Sequence, residues 1–370
     1  MLAQFYYHCL LSLIALLLLN SIRRSAYTPI SQFLALGAAG SFTALFFALI
    51  PSKLFNGLAD WNLAVHALAW YGSLFLLTSA FLMNRQKKNT GKPRRGIPAL
   101  LFITGCVYFG LSIDALLIEP TGLVIKEITI RTPKITKPMT IVFCADMQTE
   151  RVGKYERWTL QKIKKQNADL ILFGGDYIQG AGDNENRRLL DDWNQLFREV
   201  DLQAPLGVYA LQGNKELGHQ WRDMFEDTTV IPRGLTAITQ IGEIRVSFLS
   251  VRSSWANRTV SDRRQGDQFR LILGHMPIYA MAEQEADLLL AGHTHGGQVQ
   301  LPFFGPLHTN SGTLPRRWAS GVTTLPNGAT LIVSNGTGLA RGNAPRIRFL
   351  CRPDFWVIRV EPENSETKRD

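Results

Sequence analysis

The chain is 370 residues long, 46% hydrophobic and formally +10 at neutral pH. That length allows two or so domains with cores of their own, and its four cysteines are too few and too scattered for a disulfide framework or a CxxC zinc site. The positive balance does not point to nucleic acid. Residues 1–118 hold nine Lys/Arg against Asp60 and Asp114, a net +7, while 31 Lys/Arg and 28 Asp/Glu leave residues 119–370 at +3. No basic, aromatic-interleaved motif of a nucleic-acid reader is present.

Four segments of the N-terminal third are long and apolar enough to span a bilayer: roughly 5–19, 30–50, 61–83 and 97–117. The first could be a signal-peptide core, but Met1 to His8 carries no positive charge and no small-residue cleavage site precedes Arg23-Arg24. A retained helix is therefore expected. Arg23 and Arg24 follow the first segment, and six basic residues lie between Arg85 and Arg95, whereas the loop between the second and third offers only Lys53. Positive loops stay in the cytoplasm. Residues 1–118 are thus expected to be an all-α transmembrane anchor of about four helices with its N-terminus outside, and residues 119–360 an extracytoplasmic domain with a polar tail at 361–370. His66 and Asp114 lie in or near the spans and read as solvated anchors. Cys9 and Cys106 in apolar segments, and Cys144 and Cys351 in strand-like runs, are expected to be buried.

After Leu123 the pattern becomes that of a soluble α/β domain. Leu123–Ile130 alternates as a strand, and 140–145 reads as a buried strand ending in Asp146. Residues 154–166 have helical spacing. Residues 169–173 form a buried strand ending in Gly174-Gly175-Asp176. In 186–200, Leu189, Trp193 and Phe197 make a core stripe. Gly207–Leu211 is a strand before Gly213-Asn214, and 230–251 reads as two or three strands joined by tight turns. Leu271-Ile272-Leu273 ends in Gly274-His275, Asp287–Leu290 ends in Ala291-Gly292-His293-Thr294-His295-Gly296-Gly297-Gln298, and 330–334 and 355–360 are the last strands. His293 and His295 point to one side if the segment stays extended. Five apolar strands each deliver a metal-competent residue past the C-terminal end, where ligands bind in open α/β sheets. The mixture of Asp, Asn and His suits paired hard-to-borderline cations.

The ordered set Asp146-Met147-Gln148, Gly175-Asp176, Gly213-Asn214-Lys215-Glu216, Gly274-His275 and Gly292-His293-Thr294-His295 resembles the calcineurin-like metallophosphoesterase superfamily, in a membrane-anchored bacterial branch. Val333-Ser334-Asn335-Gly336-Thr337-Gly338 and Pro345-Arg346-Ile347-Arg348 are similar too. The resemblance covers roughly 120–360. It implies a four-layer α/β/β/α sandwich with two divalent ions (Mn, Zn, Fe or Mg) at the strand ends. Asp176 would bridge both. Asp146, Gln148 and His295 would hold one, and Asn214, His275 and His293 the other. A hydroxide activated between the two ions would attack phosphorus, with Asp176, Asn214 and Lys215 as catalytic residues. The substrate would be a phosphomonoester, phosphodiester or pyrophosphate, lipid-linked or from the envelope, met at a bacterial inner membrane.

Two positions depart from that family pattern. Gln148 stands where a histidine is usual, which favours a harder metal or leaves a place for water; Tyr177 is not at the usual distance to substitute. Lys215 replaces the histidine that contacts phosphate. An ammonium can stabilise phosphoryl charge but is a poor proton donor at neutral pH, so a substrate with a good leaving group is expected. His219, one turn along if Glu216 starts a helix, is a candidate proton donor or an ordinary surface histidine. The alternative function is a non-catalytic metal- or ligand-binding sensor on the same fold. Trp158, Trp193, Trp221 and Trp255 are core residues or the lining of a substrate groove.

Overall fold

The computed structural model describes residues 69, 72–81, 84, 96–180, 182–216, 219–260, 267–309, 311–340 and 346–363. The chain divides into two units, Met1–Leu117 with Arg341–Arg346, and Ile118–Ala340 with Ile347–Asp370. α1 (Gly96–Ile113) lies in the first unit, and the turns Asp114–Ile118 and Glu119–Thr121 carry the chain into the second. The apolar run Gly96–Thr121, whose most apolar 18-residue window has mean hydropathy 2.0, is the one helix among the described residues long and apolar enough to cross a membrane. It covers the segment expected to be the fourth span, and an anchor of four helices is not supported by the described residues. The first two expected spans, and His66, lie outside the described residues. Of the third, the described residues include the apolar helical stretch Gly72–Phe81. The two helices approach closely because a Cβ at Gly72 would lie 2.4 Å from the Tyr108 ring and one at Gly105 2.9 Å from Leu77. Cys106 is exposed on α1, contrary to the expectation of a buried thiol, because it does not lie on the face that meets the Gly72–Phe81 helix. Cys9 lies outside the described residues.

The second unit is built on two mixed sheets. β1 (Val124–Thr132), β2 (Met139–Cys144), β3 (Leu170–Phe173), β4 (Val208–Leu211), β5 (Val230–Arg233) and the final strand β14 (Asp354–Pro362) make the first, in the order β1-β14-β2-β3-β4-β5. β6 (Ala237–Ile241), β7 (Ile244–Phe248), β8 (Phe269–Leu273), β9 (Leu288–Ala291), β12 (Gly321–Thr324) and β13 (Thr330–Val333) make the second, in the order β12-β13-β9-β8-β7-β6. A small hairpin, β10 (Gln300–Leu301) with β11 (Gly305–Pro306), stands apart. The expected 230–251 strands divide between the sheets: β5 runs parallel to β4, and β6 and β7 form an antiparallel hairpin in the other.

The strand pattern sets the layers. Ile141 and Phe143, and Leu170 and Leu172, face the inter-sheet core with Phe248, Leu271, Leu273, Leu288 and Leu290. Their alternate neighbours Val142, Ile171 and Phe173 face outward, as a period of two requires. On that outer face α2 (Lys154–Lys164) places Leu160 and Ile163, and α3 (Asp183–Val200) places the buried Leu189, Trp193 and Phe197. Each such side chain contributes roughly 1.5–3 kcal/mol by leaving water. The outer face of the second sheet is covered more thinly, by α4 (Val251–Ser254), the 3₁₀ turns Pro277–Met281 and Arg316–Trp318, and the side chains Tyr279, Leu314 and Trp318.

The same device aligns strands in both sheets. Asp169 accepts from the Thr140 backbone N–H at 2.7 Å and Asp287 from that of Arg270 at 2.8 Å. Each aspartate's own N–H returns a bond to the same neighbour's carbonyl. The strands of a sheet therefore start in register, and their C-terminal ends leave together.

Candidate metal centre

Those ends form one rim. β2, β3 and β4 of the first sheet run into the loops carrying Asp146 and Gln148, Asp176, and Asn214 and Lys215; β8 and β9 of the second run into His275 and into His293 and His295. Cross-sheet hydrogen bonds tie the loops together. The Asp146 Oδ2 accepts from the His293 backbone N–H at 2.7 Å, and His275 Nδ1 lies 2.8 Å from the Gly174 carbonyl. All eight residues singled out from the sequence come to this rim.

The backbone here is strained. Asp146, Gln148, Asp176, His293, His295 and Gln298 all have positive φ, between 30° and 67°, each costing about 1–3 kcal/mol that the surrounding packing has to offset. Two glycines show how tight that packing is. A Cβ at Gly213 would fall 2.1 Å from the Asp176 backbone nitrogen, and one at Gly292 2.3 Å from Asp146 Oδ2. The left-handed turns also correct the picture of two histidines on one side of an extended segment: His293 and His295 go to different partners.

His293 joins a cluster in which Asp176, His275 and His293 each offer a ligand atom within 4.8 Å of the others. His275 Nε2 lies 3.0 Å from Asn214 Oδ1, 3.1 Å from His293 Nδ1 and 3.5 Å from Asp176 Oδ1. Burial opposes charge on every member. Opposite charge nonetheless holds the Asp176 carboxyl down to about 2, chiefly through His275, and holds His275 up to about 10, chiefly through Asp176. Burial, then the His275 charge, pushes His293 down to about 3. A neutral imidazole is what a metal needs.

His295 belongs to the other side, its Nε2 3.8 Å from Asp146 Oδ1. Burial, partly offset by His275, pushes the Asp146 carboxyl up to about 8, and burial drives His295 well below its ordinary value. Asp146 Oδ1, Gln148 Oε1 and His295 Nδ1 are buried without a hydrogen-bond partner. Such orphans cost roughly 1–3 kcal/mol each. Two acceptor oxygens left bare beside a neutral imidazole are a donor set that fits a divalent cation. Gln148 can orient its oxygen because its Nε2 donates to Gln179 Oε1 at 2.6 Å.

Several residues build the site that the sequence did not assign a role. Glu216 does not start a helix: it is buried, and its carboxylate accepts four backbone N–H groups, from Asp176, Tyr177, Ile178 and Gly213 at 2.6–3.1 Å. It thereby clamps the β3 and β4 loops together. Burial and Asp176 push its carboxyl up to about 7 against the pull of those amides. Arg348, fully buried, donates to the carbonyls of Asn335, Gly336, Gly338 and Cys351, and the loop it holds lies on Asp146, whose carbonyl accepts from the Gly338 N–H. The sequence signal was present in both cases, an acid after Gly213-Asn214-Lys215 and an arginine after a Gly-rich loop. What they bond was not.

The remaining expectations divide. Tyr177 is buried and donates to the Leu211 carbonyl, so it is a core residue. His219 opens the 3₁₀ turn His219–Phe225. Lys215 donates its backbone N–H to Asp176 Oδ1, and its charge contributes to lowering His293. Trp193 and Trp221 are core, Trp158 tilts against Tyr155, and Trp255, nearly half exposed, meets the His293 ring edge-on at 5.8 Å. Cys144 and Cys351 are buried as expected.

Residues 139–297 match the calcineurin-like phosphoesterase family. The chain is 28% identical over 216 residues to the uncharacterized metallophosphoesterase YkuE of Bacillus subtilis, covering 55% of this chain and 71% of that protein. It is 25% identical over 240 residues to the phosphodiesterase YaeI of Escherichia coli, covering 60% of this chain and 82% of that one. It is 25% identical over 258 residues to the UDP-2,3-diacylglucosamine pyrophosphatase LpxG of Chlamydia muridarum, covering 54% and 76%. With these matches laid over a buried rim of carboxylate, amide and imidazole donors, the chain carries a domain of the calcineurin-like metallophosphoesterase superfamily and is a metal-dependent phosphoester hydrolase.

Proposed function

We propose that this protein is a membrane-anchored, extracytoplasmic phosphoesterase that hydrolyses a phosphodiester or pyrophosphate of a lipid-linked or envelope substrate. The observation that carries the catalytic part is the convergence of the Asp176, Asn214, His275 and His293 donors with the orphaned oxygens of Asp146 and Gln148. Asn214, His275 and His293 would hold one divalent cation, Asp146, Gln148 and His295 a second, and Asp176 both. Bound there, the cations acidify water and neutralise phosphoryl charge. The chain's own part is to keep His293 and His295 neutral by burial, and to hold Asp176 as an anion between the two sets.

Lys215 supplies a positive charge where phosphoryl oxygens would lie but no proton to a departing alkoxide, which favours a phosphate or aryloxide leaving group. Trp255, edge-on to His293 and partly exposed, offers a face for the leaving group. An acylated substrate is supported by the relative named as a UDP-2,3-diacylglucosamine pyrophosphatase. The anchor is supported by the apolar helix Gly96–Thr121 and by the basic loops before it.

The test is a substrate screen of the full chain in detergent, across Mn²⁺, Zn²⁺, Fe²⁺ and Mg²⁺, with Asp176→Asn as control. Turnover of an aryl phosphodiester or a pyrophosphate well above that control is expected. Equal rates for both proteins would sink the catalytic part. Reporter fusions after residue 118 test the topology, and a cytoplasmic signal there would reverse it.

A further inference from the structure

The β10–β11 hairpin grows directly out of the turn that carries His295. A Cβ at Gly297 would meet the His308 carbonyl at 2.3 Å and Pro306 at 2.7 Å, so the hairpin base is packed against the metal-centre turn. Its tip, Pro302-Phe303-Phe304, closes through a bond from the Phe304 N–H to the Leu301 carbonyl. That tip puts apolar surface into solvent. Phe303 is fully exposed and has φ 64°, and Leu301, Phe304 and Leu307 are also exposed. A large aromatic residue held both strained and bare is not accounted for by folding, and contiguous exposed apolar surface marks an interaction site.

Two further observations say what it meets. First, the hairpin base lies where the chain arrives from its apolar helix. Gln300 bonds the Phe349 carbonyl, and the next two backbone N–H groups, of Leu350 and Cys351, are held by the buried Glu119 carboxylate. Glu119 lies within the apolar run Gly96–Thr121, and Ile118 and Leu350 beside these contacts are exposed too. Second, no aspartate or glutamate occurs between Asp287 and Asp354, a stretch that contains six arginines. One of them, the exposed Arg316, places its guanidinium 4.4 Å from the Phe304 ring centre. Apolar residues at a tip, a guanidinium beside them and no acid in the surrounding sequence are the composition of an element that enters the headgroup layer of an anionic bilayer.

We propose that the hairpin Gln300–Pro306 dips into an anionic phospholipid surface and so holds the metal centre at headgroup level. This rests on the anchored reading of the chain. It adds that the site is oriented toward the bilayer by its own hairpin rather than left to swing from the anchor.

The test uses the full-length chain in vesicles of phosphatidylcholine with phosphatidylglycerol, checked by flotation. A benzophenone analogue of phenylalanine replaces Phe303, or Leu235 as control. Leu235 is exposed beside β6, at the opposite edge of the second sheet from β12. After irradiation, phospholipid adducts at position 303 should exceed those at 235 by roughly tenfold, and Arg316→Gln should lower them several-fold. Equal adducts at the two positions in floated protein would overturn the hairpin proposal and leave the anchored reading standing. Adducts between two copies of the chain would overturn it in favour of self-association. Protein that does not float would overturn both.

Discussion

Asp176, Asn214, His275 and His293 are linked to one another by contacts of 3.0–3.5 Å, whereas Asp146 Oδ1 and Gln148 Oε1 face no partner and His295 Nε2 stands 3.8 Å from the nearer carboxylate. The first half of the centre is braced by its own side chains, because its imidazoles and carboxylate satisfy one another. The second half carries an unsatisfied cost, and it is the half where a glutamine replaces the family's usual histidine. Occupancy of the two halves should therefore respond differently to the same perturbation.

The largest expected effect falls on Asp176, the residue proposed to hold both cations. Asp176→Asn should lower turnover of an aryl phosphodiester by on the order of a thousandfold; a variant of near wild-type rate would break the shared-ligand reading. Next is the clamp behind it. Glu216→Ala leaves four backbone N–H groups buried without an acceptor and should cost about 3 kcal/mol or more, read as a lowered midpoint in urea. Metal affinity should fall with it, since the β3 and β4 loops lose their tie.

Gln148→His then tests the weaker half directly. Restoring an imidazole should tighten the second metal equivalent by about tenfold toward Zn²⁺ while leaving the first equivalent alone; a titration in which both move together would dissolve the distinction. The smallest effect concerns protons. Asp176 holds His275 protonated up to about 10 in the metal-free protein, so a cation binding there at neutral pH must displace a proton. Affinity should weaken as pH falls and strengthen as it rises toward that value. Calorimetry in buffers of different ionisation enthalpy should detect the released proton, and a buffer-independent enthalpy would contradict this account.

Much of the site was legible in the sequence because it follows from strand periodicity. Asp146, Asp176, Asn214, His275 and His293 each come just after a four- to six-residue apolar strand, and such strands in one sheet place their ends together. The partners were not legible. Glu216 bonds amides about forty residues away, Gln179 orients Gln148 across 31 positions, and Arg348 gathers carbonyls from a loop ten or more residues earlier. The thin outer cover of the second sheet was also hidden, since 3₁₀ turns lack the long 3.6-residue stripe that betrays α3.

The sequence by itself determined the ordered donor set, the α/β pattern and the excess of positive charge in its apolar first third, because these are matters of residue type and period; the two-sheet sandwich and the departures at Gln148 and Lys215 came from the family resemblance. Only the tertiary structure decided that His293 and His295 part company. Both lie in left-handed turns, at φ 67° and 50°, which the packed loops of two sheets impose and no local preference would select. Only tertiary structure, too, set the exposed Phe303 on the shoulder of the same turn, since the close contact of Gly297 with Pro306 and His308 joins residues whose neighbourhood the linear order does not reveal.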